Sequence, residues 1–164
     1  MKLSYDEKYY NDIYYCIQDK EFQLKHMIGS QTIYMFFTEF ELDPNAPVRN
    51  NYRYYNVALT IYDKRTMMYT NMDNHISTGK DPIRDFIIAR KMFDALEAKV
   101  IEHSVAHKQD SVITIHWEDN RRRDAYYKVL SRKGYKYSKM PWGTKVIMKK
   151  FKWKDYEDIE FEQK

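Results

Sequence analysis

The sequence predicts an α/β fold in one domain, built on a mixed β-sheet. Three observations predict it. Two segments rich in β-branched and aromatic residues, QTIYMFFTEFEL from Gln31 and NYRYYNVALTIYD from Asn51, flank a connection with two prolines and read as a long antiparallel hairpin. The stretch IRDFIIARKMFDALEAKVIEHSVAH repeats Ile83, Phe86, Ile87, Phe93, Leu96 and Val100 near helical spacing and reads as one long helix. The run SVITIHW that follows lacks alternation, as a strand buried on both faces does. A helix between two such strands implies a parallel pair joined by a right-handed crossover.

Composition sets the limits. With 164 residues, 43% of them hydrophobic, the chain fits a single core, placed in residues 1–154. Sixteen Tyr and three Trp beside only four Gly and four Pro exclude the disordered and fibrous classes. Twenty-eight basic and 24 acidic residues leave a net charge of +4, which permits an anionic partner without demanding one. No apolar run approaches bilayer length, and MKLSYDEKYY lacks the apolar core of a signal peptide, so the expectation is a cytoplasmic protein with no membrane partner. A single cysteine, Cys16, excludes an internal disulfide and a Cys-rich zinc site. Its neighbours YYCIQ read as a packed helix face, which argues against a nucleophile.

The remaining elements follow in order. Residues 5–28 place Tyr10, Ile13, Tyr14, Ile17 and Leu24 at spacings that suit one or two helices. The hairpin strands come next, then a corner at Asp63, Lys64 and Arg65 that reads as a solvated turn, and a third strand, MMYTNM. Pro82 suits the first turn of the long helix, with Asp81 or a neighbour as its cap. After SVITIHW, Asn120 or Asp119 can cap a second helix whose apolar face carries Tyr126, Val129 and Leu130. Gly134 ends that helix, since glycine tolerates the left-handed conformation required there. The segment YKYSKMPWGTKVIMKKFKW reads as two strands around a Pro-Trp-Gly turn. Residues 155–164 form an acidic tail, expected to be loosely held.

This element order resembles the GCN5-related N-acetyltransferase superfamily over nearly the whole chain. At residue level the resemblance concentrates in ITIHWEDNRRRDAYYKVLSRKGYKY: a strand at Ile113 to Trp117, Asn120, a helix, then Gly134 with Tyr135. The resemblance implies N-terminal helices, antiparallel strands, a central helix, a parallel strand pair splayed for a cofactor and a C-terminal hairpin. It also implies acetyl-coenzyme A as cofactor and an amine, small molecule or protein, as acceptor. In such a frame the pyrophosphate rests on the start of the central helix, where unpaired N–H groups and the macrodipole favour an anion. The matching loop is HISTGKDPIRDF, in which Gly79 admits a close backbone approach, Ser77 and Thr78 offer hydroxyls, and Lys80 and Arg84 offer charge, with Asn120 completing the cofactor set. Read without the resemblance, TGKDP is the turn and cap of a long helix.

The chain departs from the family in two places. Only Gly79 matches the small residues of the Gln/Arg-x-x-Gly-x-Gly/Ala signature, while Asp81 adds a negative charge and Pro82 removes a donor. Leu130 stands where many members carry the tyrosine that protonates the departing thiolate. Tyr127 or a water is the alternative acid, and Asp73, His75, His116 and Glu118 at strand ends are candidate bases, His116 and Glu118 foremost. A degenerate member, acting as a binding or structural module such as a phage virion component, is the rival expectation. That role would place the chain in a virion.

Two further clusters also have simpler readings. His103 and His107 stand one helical turn apart, as metal ligands do, but no third ligand is evident and a solvated helix end accounts for them, so no metal is expected. Arg121, Arg122 and Arg123, with Lys128, Arg132 and Lys133, form a basic strip that suits nucleic acid, a virion partner or the 3′-phosphate of coenzyme A, or is simply a solvated face. A homodimer is also compatible with the fold.

Overall fold

A computed structural model describes residues 3–41, 51–71, 82–116, 120–140 and 142–159. A short helix α1 (Glu7–Asn11) precedes strands β1 (Tyr14–Cys16), β2 (Glu21–Ile28), β3 (Gln31–Phe40), β4 (Arg53–Asp63) and β5 (Met68–Asn71). The long helix α2 (Pro82–His107) leads to β6 (Ser111–Ile115), helix α3 (Asn120–Leu130), a 3₁₀ turn at Ser131–Lys133, and strands β7 (Lys136–Lys139) and β8 (Lys145–Phe151). The eight strands form one mixed sheet in the order β1-β2-β3-β4-β6-β8-β7, with β5 also paired to β4. The α/β class, the long helix, the hairpins and the parallel pair, here β4 with β6, all follow the sequence.

The N-terminal reading is corrected. Residues 5–28 are not one or two helices: only Glu7–Asn11 is helical, started by the Asp6 side chain accepting from the Lys8 N–H at 3.0 Å. Residues Glu21–Ile28 are a strand that turns Phe22 and Leu24 inward and leaves Lys25 and Met27 exposed. Strand register, not helical spacing, governs Leu24, which faces Met35 on β3. Ile17, taken for a helix face, is 81% exposed in the turn between β1 and β2. Cys16 belongs to edge strand β1, with Sγ 3.4 Å from Asp19 Oδ2.

One face of the sheet carries the main core. Ile33, Met35 and Phe37 of β3, Ile61 of β4 and Ile113 and Ile115 of β6 meet Ala89, Met92, Phe93 and Leu96 of α2, all under one-tenth exposed. Phe37 and Phe93 sit 5.3 Å apart between ring centres. A smaller cluster of Tyr54, Val112, Met140 and Val146 has Phe40, Tyr52 and Met148 packed against it, with Met140 at the start of the turn between β7 and β8. That turn contains Gly143 at φ +95°, a left-handed position. All five residues of β6 are buried, as its lack of alternation requires.

Two surface readings also change. Asp63 is not a solvated corner: it is 1% exposed and accepts from the Arg65 guanidinium at 2.9 Å. These hydrogen bonds hold its carboxyl down to about 2. The acidic tail is packed as far as Ile159, which is buried, and Tyr156 meets Phe151 at 5.9 Å. Its last five residues, like the connection at 42–50, lie outside the described residues.

Candidate functional site

The site begins with a gap in the sheet. Strand β4 pairs with β3 from Tyr54 to Asp63 along one edge. On its other edge, Arg53 to Asn56 pair with β6 and Thr60 to Asp63 pair with β5. Residues 57–59 have no strand partner on that edge among the described residues. Consecutive strand residues turn their N–H and C=O to alternate edges. The Arg53 N–H donates to Asp110 and the Tyr55 carbonyl accepts from Thr114 Oγ1 at 2.9 Å, so odd-numbered residues face β6. Val57 and Leu59 therefore offer two N–H donors and two C=O acceptors to the gap.

A cavity of about 290 Å³ occupies this gap. Asn56 to Thr60 form its floor, Phe86, Ala89, Arg90 and Phe93 of α2 one wall, and Tyr126, Val129 and Leu130 of α3 the other. The α3 face expected to be apolar is the one that lines it. An apolar hollow with a few convergent polar groups is the usual form of a small-molecule site.

His116 stands at the end of β6 and lines the same cavity. Its Nδ1 lies 2.7 Å from Asn56 Oδ1; the amide oxygen only accepts, so Nδ1–H donates and Nε2 keeps its lone pair. Burial lowers the His116 pKa, which keeps the ring neutral at pH 7. A neutral imidazole with one nitrogen held and the other available is a competent proton acceptor.

The other expected residues are distributed unevenly. Ser77, Thr78, Gly79, Lys80 and Glu118 lie outside the described residues, as do Asp73, His75, Asp81 and the Asn120 side chain. Arg84, on the first turns of α2, donates to Gln31 Oε1 and Asp85 Oδ1, both at 3.2 Å. Tyr127 does not line the cavity; its ring stacks on Tyr137 at 4.1 Å. The tyrosine that does line it is Tyr126, one turn before Leu130. Its place among the apolar residues of α3 was the signal for it. Arg90 was not singled out from the sequence, though it follows Phe86 by one turn and so shares its wall.

His103 and His107 pack against one another and against β2 and β4. Their rings stack at 4.0 Å, His103 Nδ1 accepts from the Arg53 guanidinium at 3.0 Å, and Phe22 packs edge-on at 5.7 Å. Burial, with His107, Arg53 and Lys99 nearby, pushes His103 down to about 4. No group of three or more metal-ligating side chains occurs among the described residues. Comparison with protein-family models, curated proteins and solved structures finds no match, so the chemistry of the cavity is argued from its own residues.

Proposed function

We propose that the chain is an acyltransferase of the GCN5-related type, holding acyl-coenzyme A along the open edge of β4 and passing the acyl group to an amine. The observation that carries this reading is the edge at 57–59, without a strand partner among the described residues, beside an apolar cavity. An amide-bearing chain can take the place of the missing strand, with Val57 and Leu59 supplying the backbone hydrogen bonds. Arg90 supplies positive charge for phosphates from the α2 wall, and Lys80, which precedes α2 in the sequence, adds a second cation. Bound acyl-coenzyme A supplies a thioester carbonyl open to attack by an amine. His116 Nε2 accepts the proton of the acceptor ammonium, and Asn56 fixes the ring that does so. Tyr126, which lines the opposite wall, is the phenol we assign to return a proton to the departing sulfur, a role Leu130 cannot perform.

A second reading keeps the cavity and drops the chemistry: a binding or structural module of the same fold. Leu130 favours it, being 8% exposed and apolar at the turn where a proton donor is expected. Thermal denaturation with and without acetyl-coenzyme A separates the outcomes. A ligand at a hundred times its dissociation constant stabilises by about 2.7 kcal/mol, a rise of roughly 5–10 °C for a chain of this size. A rise that is lost in Ala89→Phe, with turnover lost in His116→Gln, supports the transferase. A rise without turnover on any amine supports the module. No rise at millimolar ligand removes both coenzyme A readings.

A further inference from the structure

The charge of this chain is strongly segregated. Residues 120–150 contain eleven Lys and Arg and a single acidic residue, Asp124. Of the 28 basic and 24 acidic residues overall, the rest of the chain therefore keeps 17 and 23. The positive segment is α3, the 3₁₀ turn, β7 and β8, and it occupies one end of the sheet, with β7 as its edge strand. A modest net charge thus conceals a cationic end on an otherwise acidic molecule.

Not all of these cations face outward. Lys133 turns in to Asp94 and Glu97, and Lys149 donates to the Lys133 carbonyl at 2.6 Å. Lys128, Arg132, Lys136, Lys139 and Lys145 are exposed, and none pairs with a carboxylate among the described residues. Among them lie aromatic planes. Tyr127 and Tyr137 stack nearly parallel, at 21° between rings, with the Arg123 guanidinium 6.0 Å from the Tyr137 ring. Tyr137 is 45% exposed, and Trp142, in the turn between β7 and β8, is 50% exposed. The cavity uses none of these residues.

We propose that this end of the sheet binds single-stranded nucleic acid. Tyr137, backed by Tyr127, and Trp142 stack on bases, and Lys136, Lys139 and Lys145 contact phosphates. Cationic rims with accessible ring faces suit a strand whose bases are unstacked. A duplex offers the same phosphates but keeps its base faces inside, and an acidic peptide offers charge without rings to stack. The surface is independent of the proposed acyltransferase site.

Fluorescence anisotropy of a labelled deoxythymidine oligomer with the full chain tests this. The expected result is binding at low salt whose log affinity falls with log salt by about 0.7 per phosphate contact, hence a slope near −2 for three contacts. Trp142→Ala, in an exposed turn, weakens binding five-fold or more without changing that slope, and Tyr137→Ala does the same. Lys139→Gln combined with Lys145→Gln flattens the slope. Three results overturn the proposal: no binding at about 50 mM salt, equal binding to a duplex or to polyglutamate of matched charge, or affinity unchanged in both aromatic variants. Full displacement of the oligomer by millimolar acetyl-coenzyme A also overturns it, because the strip then serves the nucleotide of that ligand.

Discussion

Strand β4 keeps one neighbour, β3, along its length, yet its other edge is built in two ways. Over Arg53 to Asn56 it is closed by β6, and every side chain there has a partner: Tyr55 packs on Phe22 at 6.0 Å, the Ser104 and Ser111 hydroxyls bond one another, and Arg53 bridges His103 and Glu39. Over residues 57–59 the same strand faces a hollow lined by α2 and α3. The first arrangement spends its backbone hydrogen bonds on the sheet, and the second leaves them for a ligand. The closed part is therefore expected to carry stability and the open part recognition.

The largest test of that contrast is a pair of truncations. Ile113→Ala, at a fully buried position in the closed part, is expected to cost about 3–4 kcal/mol, and Leu59→Ala beside the hollow about 1 kcal/mol. Urea midpoints measure both, and equal losses would erase the distinction. Next in size, His116→Gln lowers any acyl transfer by about a hundredfold while leaving the ligand-induced rise in melting temperature intact. Gly134→Ala, where the 3₁₀ turn after α3 ends at φ +93°, forces a side chain into the left-handed region and costs about 1 kcal/mol. Its Cβ would meet only the flexible Lys149 chain at 3.3 Å, so the backbone sets the cost.

The closed part also carries a pH dependence. His103 titrates near 4 when folded and near its ordinary 6.5 when unfolded. The unfolded chain binds the proton first, so this contribution is complete above about pH 6.5 and is lost as pH falls toward 4. Urea midpoints between pH 7 and 4 should fall less steeply in His103→Gln than in the native chain.

The parts of this architecture that were legible had signals confined to one element. The 26-residue α2 repeats its apolar positions over seven turns, and β6 has no polar residue to turn outward except Ser111 and Thr114, which bond within the core. The misread N-terminus shows the limit. Tyrosine supplies both an apolar body and a polar tip, so Tyr14 fitted a helical stripe while standing 63% exposed on β1. The alternation Glu21, Phe22, Gln23, Leu24, Lys25 and the Gly29-Ser30 pair before β3 were the competing hairpin signal, with Gly29 at φ +59°. The cavity was legible only as an expectation of splayed strands, because a gap between strands belongs to no single segment. Which tyrosine of α3 reaches the hollow is likewise a matter of helix rotation, and one residue separates Tyr126 on the wall from Tyr127 outside it.

Lys133 gives the α3 wall a further property. Burial alone would weaken its charge, but Glu97 and Asp94 outweigh that and hold it protonated above its ordinary range. Glu97 also accepts from the buried Tyr135 hydroxyl at 2.5 Å, so one carboxylate of α2 clamps both sides of Gly134. The 3₁₀ turn that follows α3 is thereby riveted to α2, beside the bond that Lys149 of β8 makes to the Lys133 carbonyl. Leu130, which lines the hollow, lies three residues before this anchor, so Lys133→Met is expected to loosen the end of that wall and with it the fit of a guest.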